Sequence, residues 1–277
     1  MSGVLHPAQR SDLAWLWPPV RASQIFDRAE ELESFWAEAP WRVRVNSRGE
    51  AAVLVRWREH MDLLAIKGLW CSERRVSLLL EDLRPVAREQ GFGRLLSPLL
   101  PSDAARPYLE SGMSPVQEIV VLRLDPRRRR RLLEAPDAAG VTLRLGSGAD
   151  LHAVLAVDNA AFETFWRYDR GLLARYISSE RLGVAEAGGQ VVGYTLCTVR
   201  RGEGSIGRLA VRPDTQGRGV GAMLLEDAVA FLESGGADRV TLCTQAGNVR
   251  SRRLYGNAGF KEVPGLLLGL VSGPLQG

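Results

Sequence analysis

An internal repeat constrains the fold of this chain more than any other feature of its sequence. Residues 64–67 (LAIK) recur as residues 209–212 (LAVR), and residues 79–82 (LLED) recur as residues 224–227. Both pairs are 145 positions apart. Repeated segments at a fixed spacing are typical of a duplicated structural unit. The repeat therefore predicts two copies of one fold, with an ungapped register over residues 64–94 and a slip of two residues further on.

Hydrophobic periodicity places each copy in the α/β class. In the second half, period-2 patterns alternate with period-3.6 patterns, which are typical of strands and amphipathic helices. Gly188-Gly189 separates two runs rich in β-branched residues, a pattern that favours a hairpin. The predicted strands are 141–145, 183–187, 191–199, 206–211 and 239–244, and the predicted helices are 149–162, 170–179, 220–234 and 249–258. We expect an α+β mixed sheet.

Chain length and local composition suggest where the copies meet. At 277 residues the chain is long enough for two domains. Five consecutive arginines, residues 127–131, precede a stretch rich in alanine, proline and glycine, a composition typical of an exposed linker. We therefore predict domains at residues 1–125 and 141–277, joined by a linker at residues 126–140.

Composition also excludes several classes of protein. The apolar fraction of 45% and the charged fraction of 25% are those of a globular protein, not a disordered one. Cys71, Cys197 and Cys243 are too far apart for a local metal-binding motif, so we expect no metal. No apolar run is long enough to span a membrane and no signal peptide is present, so we expect a cytoplasmic protein with no membrane partner. The net charge of +4 is too small to indicate a nucleic-acid partner.

The most specific motif is a glycine-rich segment at residues 212–222, between a predicted strand and a predicted helix. Gly217, Gly219 and Gly221 stand at alternate positions at the start of that helix. Glycines here let a ligand approach the backbone, whose free N–H groups and helix dipole favour a phosphate. The segment lacks the GK[ST] of a P-loop and the GxGxxG of a dinucleotide site. A tight turn alone would require only one of the three glycines.

This segment resembles the Q/R-x-x-G-x-G/A signature of the GNAT acetyltransferase superfamily, with Gln216, Gly219 and Gly221 at the matching positions. The preceding strand and the segment 248–260 (NVRSRRLYGNAGF) resemble two further family motifs in the same order. The resemblance implies two tandem GNAT-like acyl-CoA N-acyltransferase domains, with acetyl-CoA as cosubstrate. The residues it implies for acetyl-CoA binding are Leu209, Ala210, Val211, Gln216, Gly217, Arg218, Gly219, Val220, Gly221, Ala222 and Asn248.

The same resemblance implies a catalytic tyrosine. Tyr255 would protonate the departing CoA thiolate, and Asn248, two helical turns earlier, would contact the pantetheine arm. Each residue has a structural alternative: Tyr255 as a core residue and Asn248 as a helix N-cap.

The general base departs from the family pattern, in which a glutamate occupies one of two strand positions. Ser205 and Cys243 stand at those positions here. Glu203 is the nearest carboxylate and is our candidate base, although a solvent-facing turn residue is an equal alternative. For the acceptor site, the resemblance indicates Glu163, Trp166 and Tyr168 in an aromatic segment that could equally belong to the core.

We therefore expect an N-acetyltransferase that transfers an acetyl group from acetyl-CoA to a primary amine of a small-molecule or peptide acceptor by direct attack. The alternative is a CoA-responsive binding module without turnover. At the offset of 145, the first copy has no glycine at residues 71–77 and carries Glu73 there. We expect this copy to be degenerate, to shape the acceptor site and to leave the protein a monomer.

Overall fold

The computed structural model describes residues 3–23, 25–59, 61–128 and 140–275. The chain divides into two compact units: Met1–Glu118 with Leu267–Gly277, and Ile119–Leu266. The first unit thus includes a short segment that follows the second unit in the sequence. Most of the predicted linker, residues 129–139, lies outside the described residues, as does much of the arginine run.

The elements of the first unit run from the N-terminus to β7, which continues into the second unit, and include the last strand of the chain. Its helices are α1 (Leu13–Ala22), α2 (Ala29–Glu38), α3 (Val76–Glu89) and α4 (Arg106–Glu110). Its strands are β1 (His6–Pro7), β2 (Val43–Val45), β3 (Ala51–Arg56), β4 (Leu63–Trp70), β5 (Arg94–Leu96), β6 (Leu100–Pro101), the first half of β7 (Met113–Leu124) and β14 (Leu267–Ser272). Strands β1 to β5 are neighbours in chain order, followed by β14, which also pairs with β6. Among these strands, β4 and β5 are parallel.

The second unit contains the glycine-rich segment. Its helices are α5 (Leu151–Ala161), α6 (Arg170–Ser179), α7 (Val220–Ser234) and α8 (Val249–Asn257). Its strands are β8 (Val141–Leu145), β9 (Arg181–Ala187), β10 (Gln190–Arg200), β11 (Glu203–Val211), β12 (Arg239–Gln245) and β13 (Lys261–Glu262). The sheet order is β8-β9-β10-β11-β12, with the end of β7 beside β12. Strands β11 and β12 are parallel and are joined through α7.

These elements confirm the predicted α/β class and the predicted order in the second half. The hairpin between β9 and β10 turns at Gly188 and Gly189, whose φ angles of 56° and 74° favour glycine. Apolar side chains from α5 and α6 cover one face of the sheet around Tyr194. Those from α7 and α8 form a second core that includes Ile206 and Leu242. The sheet therefore has a helical layer on each face.

The two units repeat one arrangement, but the ungapped register expected from the sequence is wrong. Each unit has a parallel strand pair joined by a helix, and in each the first strand of that pair contains a β-bulge. The bulged residue is Lys67 in β4 and Gly207 in β11, at an offset of 140. Helix α3 begins nine residues after its bulge and α7 begins thirteen after its own. The connection in the first unit is therefore four residues shorter.

The described residues contain neither a candidate membrane span nor a candidate metal cluster. No described helix combines the length and apolar character needed to span a membrane. Nor do the described residues contain a group of three or more histidine, cysteine, aspartate or glutamate side chains that could hold a metal ion.

Candidate active site

The glycine-rich segment forms the start of α7. Gly217 and Gly219 have φ angles of 85° and 87°, in the left-handed region where side chains are strained. Gly219 is the N-cap of the helix. A Cβ built on Gly221 would lie 3.4 Å from Leu254 Cδ2, at ordinary contact distance. The backbone conformation therefore favours glycine at Gly217 and Gly219, while Gly221 lies against Leu254.

This turn leaves a row of backbone N–H groups without acceptors. The N–H groups of Ala222 and Met223 donate to Gly219 O, at 2.9 and 3.1 Å. Within the part of the chain that the structure describes, the N–H groups of residues 217–221 have no hydrogen-bond acceptor. Free amides at the positive end of a 15-residue helix form an anion-binding site. The segment thus fits a phosphate or pyrophosphate group, and we call residues 217–221 the amide cradle.

The side chain of Gln216, the residue before the cradle, is hydrogen-bonded within the protein. Its side-chain amide donates to Val211 O at 2.9 Å, and its carbonyl oxygen accepts a hydrogen bond from Arg250 of α8. Both ends of the side chain are therefore engaged within the protein. These contacts explain a glutamine at this position, because its side chain ties the loop between β11 and α7 to β11 and to α8.

The charges beside the cradle are mainly positive. Arg218 is exposed, and no described residue forms an ion pair with it. Arg212 is held by Asp214 at 3.1 and 2.7 Å, which lowers the pKa of that carboxyl group. Arg218 is consequently the cation at this site that is available to an anionic ligand.

Strand β11 is paired on one edge only in the part next to the cradle. Its pairing with β12 covers Glu203 to Ile206, and the register ends at Ile206 with Leu242 although both strands continue. Residues 209–211 still pair with β10 on the other side. Two parallel strands that diverge in this way leave main-chain donors and acceptors for an extended ligand with amide groups.

Tyr255 and Asn248 lie on α8, and the structure gives each a structural partner. Tyr255 is 6% exposed and packs beside Phe260, with ring centroids 5.9 Å apart. Burial raises the pKa of its hydroxyl to about 12, against a smaller opposite effect of Ser251. Asn248 caps the helix, since its Oδ1 accepts from Ser251 N at 3.1 Å. The side-chain amide of Asn248 keeps its two donor hydrogens for a ligand.

Glu203 lies far from these groups. It is the first residue of β11, eight residues before Val211, so about 26 Å of strand separates it from the cradle end. Its carboxylate accepts from Arg239 at 3.1 Å, and both side chains are more than half exposed. This placement matches the surface alternative and puts Glu203 at the end of β11 that is far from the cradle.

The predicted acceptor residues lie in the short loop between α5 and α6, which we call the acceptor loop. Glu163 is exposed, whereas Tyr168 is 9% exposed and belongs to the core on that face. Trp166 packs edge-on against Phe165 at 5.0 Å. Of the three, Glu163 and Trp166 leave side-chain surface accessible to an acceptor, and Tyr168 supports the loop from beneath.

A buried ion pair under this loop was missed from the sequence. Asp158 is fully buried and accepts two hydrogen bonds from Arg208, at 2.9 and 3.2 Å. Arg208 lies between the rings of Phe162 and Tyr168, at 3.8 and 3.7 Å, and also donates to Trp166 O. The pair links the acceptor loop to β11 next to the bulge.

Comparison with known proteins agrees with this geometry. The model of the acetyltransferase (GNAT) family matches residues 151–260. An uncharacterised N-acetyltransferase of Methanocaldococcus jannaschii is 32% identical over 123 residues, which cover 43% of this chain and 78% of the relative. This chain therefore belongs to the GNAT acetyltransferase family.

The match to one solved structure extends to both units. A tandem GNAT protein from the clavulanic acid biosynthesis pathway has a TM-score of 0.63, 16% identity, and coverage of 85% of this chain and 83% of its own. The chain has the tandem GNAT arrangement, with a repeat of the fold in each unit.

Several relatives are named mycothiol acetyltransferase. That of Tsukamurella paurometabola is 32% identical over 178 residues, which cover 54% of this chain and 58% of the relative. The chain spans about half the length of the first such relatives that it matches.

Proposed function

We propose that this chain is an N-acetyltransferase that transfers an acetyl group from acetyl-CoA to a primary amine by direct attack. The observation that carries the proposal is the amide cradle at residues 217–221, with its free N–H groups at the start of α7. Acetyl-CoA combines a pyrophosphate with an amide-bearing arm, and the cradle lies next to a strand with a free edge. The two features fit the two parts of one molecule.

Three groups of residues would hold acetyl-CoA. The amides of residues 217–221 and the guanidinium of Arg218 would bind the pyrophosphate, because hydrogen bonds to an ionised group are the strong ones. The main chain of residues 209–211 would pair with the pantetheine arm. Asn248 would donate its side-chain amide to the same arm while it caps α8.

Tyr255 would act as the general acid. Its raised pKa, about 12, keeps the hydroxyl protonated at neutral pH, so it can donate but cannot serve as a base. In the reaction the amine nitrogen forms a bond to the acetyl carbon and the carbon–sulfur bond breaks. Tyr255 supplies the proton that the leaving thiolate takes up.

The proposed acceptor is a primary amine of a small molecule or a peptide. The exposed carboxylate of Glu163 could bind a cationic acceptor, and Trp166 offers an aromatic surface beside it. Because several relatives are named mycothiol acetyltransferase, the unacetylated amine form of mycothiol is one acceptor to test.

The test is amine-stimulated release of CoA, followed with a thiol-reactive dye. A panel of amino acids, polyamines, aminoglycosides, peptide N-termini and the unacetylated amine form of mycothiol is offered with acetyl-CoA. We expect at least one amine to accelerate release of free thiol. Calorimetric binding of acetyl-CoA without release by any amine would contradict the proposal and would favour a CoA-responsive binding module.

A further inference from the structure

The carboxylate of Glu180 lies beside Gly207, the bulge residue of β11, and is unpaired among the described residues. The residue follows α6 directly and is that helix's C-cap. A Cβ built on Gly207 would lie 3.6 Å from Glu180 Oε2. The carboxylate therefore lies over the point where β11 changes register and ceases to pair with β12.

No described residue forms a hydrogen bond or an ion pair with the Glu180 carboxylate. The side chain is half-buried, and burial raises the pKa of its carboxyl group. The charged and titratable groups that act on it are Arg200, which opposes that rise, and the thiol of Cys197, both on β10. An ionisable side chain that is partly desolvated but has no partner is poorly explained by stability alone.

The bulge residue itself keeps this carboxylate open. Gly207 has no side chain, and the contact distance of 3.6 Å shows that even a methyl group would touch the carboxylate oxygen. In the first unit the bulge residue is Lys67. A bulge residue without a side chain is therefore a feature of the unit that carries the cradle.

The distance between the bulge and the cradle suits a ligand arm that lies along β11. Gly207 is four residues before Val211, about 13 Å along the strand from the end at which the cradle begins. An arm that leaves the cradle and follows the free edge of β11 would bring its far end toward the bulge. Glu203, in contrast, lies beyond the bulge at the start of the strand.

We propose that Glu180 is the general base that removes the proton from the attacking amine, a role that rests on the proposed function. The neutral amine attacks the acetyl carbon, and the nitrogen proton released as the new bond forms passes to a Glu180 oxygen. The carbon–sulfur bond breaks, and Tyr255 protonates the thiolate. One proton enters Glu180 and one leaves Tyr255, so exchange with solvent restores both groups.

The first experiment compares Glu180→Gln with Glu203→Gln, the variant at the base predicted from the sequence, and with Glu233→Gln on α7 as a matched control. With acetyl-CoA and the best amine of the panel, we expect Glu180→Gln to lower kcat by about 10²- to 10⁴-fold. Its acetyl-CoA affinity by calorimetry should stay within about twofold of the wild type. Glu180→Asp should recover part of the rate. A loss confined to Glu203→Gln would overturn the proposal.

A second experiment uses hydroxylamine as the acceptor. Its nitrogen is largely unprotonated at neutral pH, so its attack needs less assistance from a general base. If Glu180 takes the proton, the ratio of wild-type to Glu180→Gln rates should be smaller with hydroxylamine than with an alkylamine. An equal ratio for both nucleophiles would overturn the role as base, since it would indicate general damage to the site.

Thermal unfolding gives a readout that needs no acceptor. Because the folded-state pKa is raised, the folded protein holds this proton more tightly than the unfolded chain does. Stability then falls as pH rises from the unfolded value through the folded one, and the full loss is present above both. Glu180→Gln should therefore raise Tm at pH 7 to 8, and this gain should shrink below pH 4.5. A variant with a lower Tm at both pH values would overturn the assignment of an unpaired carboxylate.

These outcomes separate the two proposals. Wild-type protein that binds acetyl-CoA but acetylates no amine overturns the proposed function, and with it the role of Glu180. Active wild-type protein with an equally active Glu180→Gln variant overturns the role of Glu180 alone.

Discussion

Asp158 and Arg208 form an ion pair inside the second unit, with the aspartate fully buried and the arginine 8% exposed. Arg208 Nε lies 2.9 Å from Asp158 Oδ1, which also accepts from the Tyr194 hydroxyl at 2.5 Å. Oδ2 accepts from the backbone N–H of Tyr168 at 2.8 Å. One carboxylate thus joins α5, β10, β11 and the acceptor loop.

Removal of this carboxylate should destabilise the protein strongly. Asp158→Ala would leave the Arg208 guanidinium buried without its counter-charge, and the loss of one partner of a buried pair typically lowers the free energy of unfolding by about 3 to 5 kcal/mol. Asp238→Ala is the control, because that aspartate is 75% exposed in its pair with Arg127. This variant should lower the free energy of unfolding by less than about 1 kcal/mol. Urea unfolding measures both. Equal losses would contradict the central place of Asp158.

The amide cradle was predictable because glycine is itself the signal. Three glycines at alternate positions before a helix have a direct backbone meaning, and two of them take left-handed φ angles. The Asp158–Arg208 pair was not predictable, because its members are 50 residues apart and ordinary as residue types. Only the packing of α5 against the sheet brings them together.

The cradle can be tested by one added charge. Gly221→Asp adds a carboxylate to a residue of the cradle at the helix start, where an acidic side chain is compatible with the helix, and its Cβ would contact Leu254. Hydrogen bonds to a charged group contribute about 1.5 to 3 kcal/mol each, so we expect acetyl-CoA affinity to fall by roughly 100-fold or more.

The matched control is Gly148→Asp, at a glycine of the same unit whose Cβ position has nothing within 4 Å. It should bind acetyl-CoA as the wild type does. Calorimetry that finds wild-type affinity in Gly221→Asp would exclude the cradle as the phosphate site.

Tyr255→Phe tests the general acid. The change removes one hydroxyl and keeps the ring that packs beside Phe260. We expect unchanged acetyl-CoA affinity and a kcat lowered by about 10²- to 10⁴-fold. Tyr108→Phe is the control, because Tyr108 is buried in the first unit on α4. Steady-state rates that are equal in the two variants would return Tyr255 to a purely structural role.

The pH dependence follows from the same residue. With a pKa of about 12, Tyr255 remains a proton donor throughout the range from pH 6 to 10. Ionisation of the acid should therefore produce no fall in kcat below about pH 10. A descending limb centred near pH 8 that is absent in Tyr255→Phe would show that the tyrosine ionises much earlier than burial implies.

The proposed base, Glu180, illustrates what the sequence could not indicate. Glu203 is the predicted base because it is the carboxylate nearest to Ser205, at the family's glutamate position, but about 26 Å of extended strand separates it from the cradle end of β11. Glu180 is 27 residues before Gly207, and the position of α6 over the sheet brings its carboxylate to the bulge. No spacing rule for residues on one strand would have found it.

The repeat shows a similar limit. Matching letters fixed the offset at 145 through the helix and the second strand, whereas the bulges at Lys67 and Gly207 fix it at 140 in the first strand. Many apolar residues are acceptable at any strand position, so a strand can be aligned in more than one register. Short apolar matches therefore could not reveal that the loop after β4 is shorter than the loop after β11. The place of the C-terminal strand in the first unit was hidden for the same reason, since it depends on pairing of β14 with β5 and β6.

The stoichiometry of acetyl-CoA binding tests the account most directly. The connection in the first unit is four residues shorter and has no glycine between Cys71 and Arg75, so the start of α3, unlike that of α7, has no free amides at left-handed glycines among the described residues. Mass spectrometry of the intact complex, titrated with acetyl-CoA, should give one molecule per chain for the wild type and none for Gly221→Asp. Two molecules per chain at similar affinity, or one that persists in Gly221→Asp, would contradict the account.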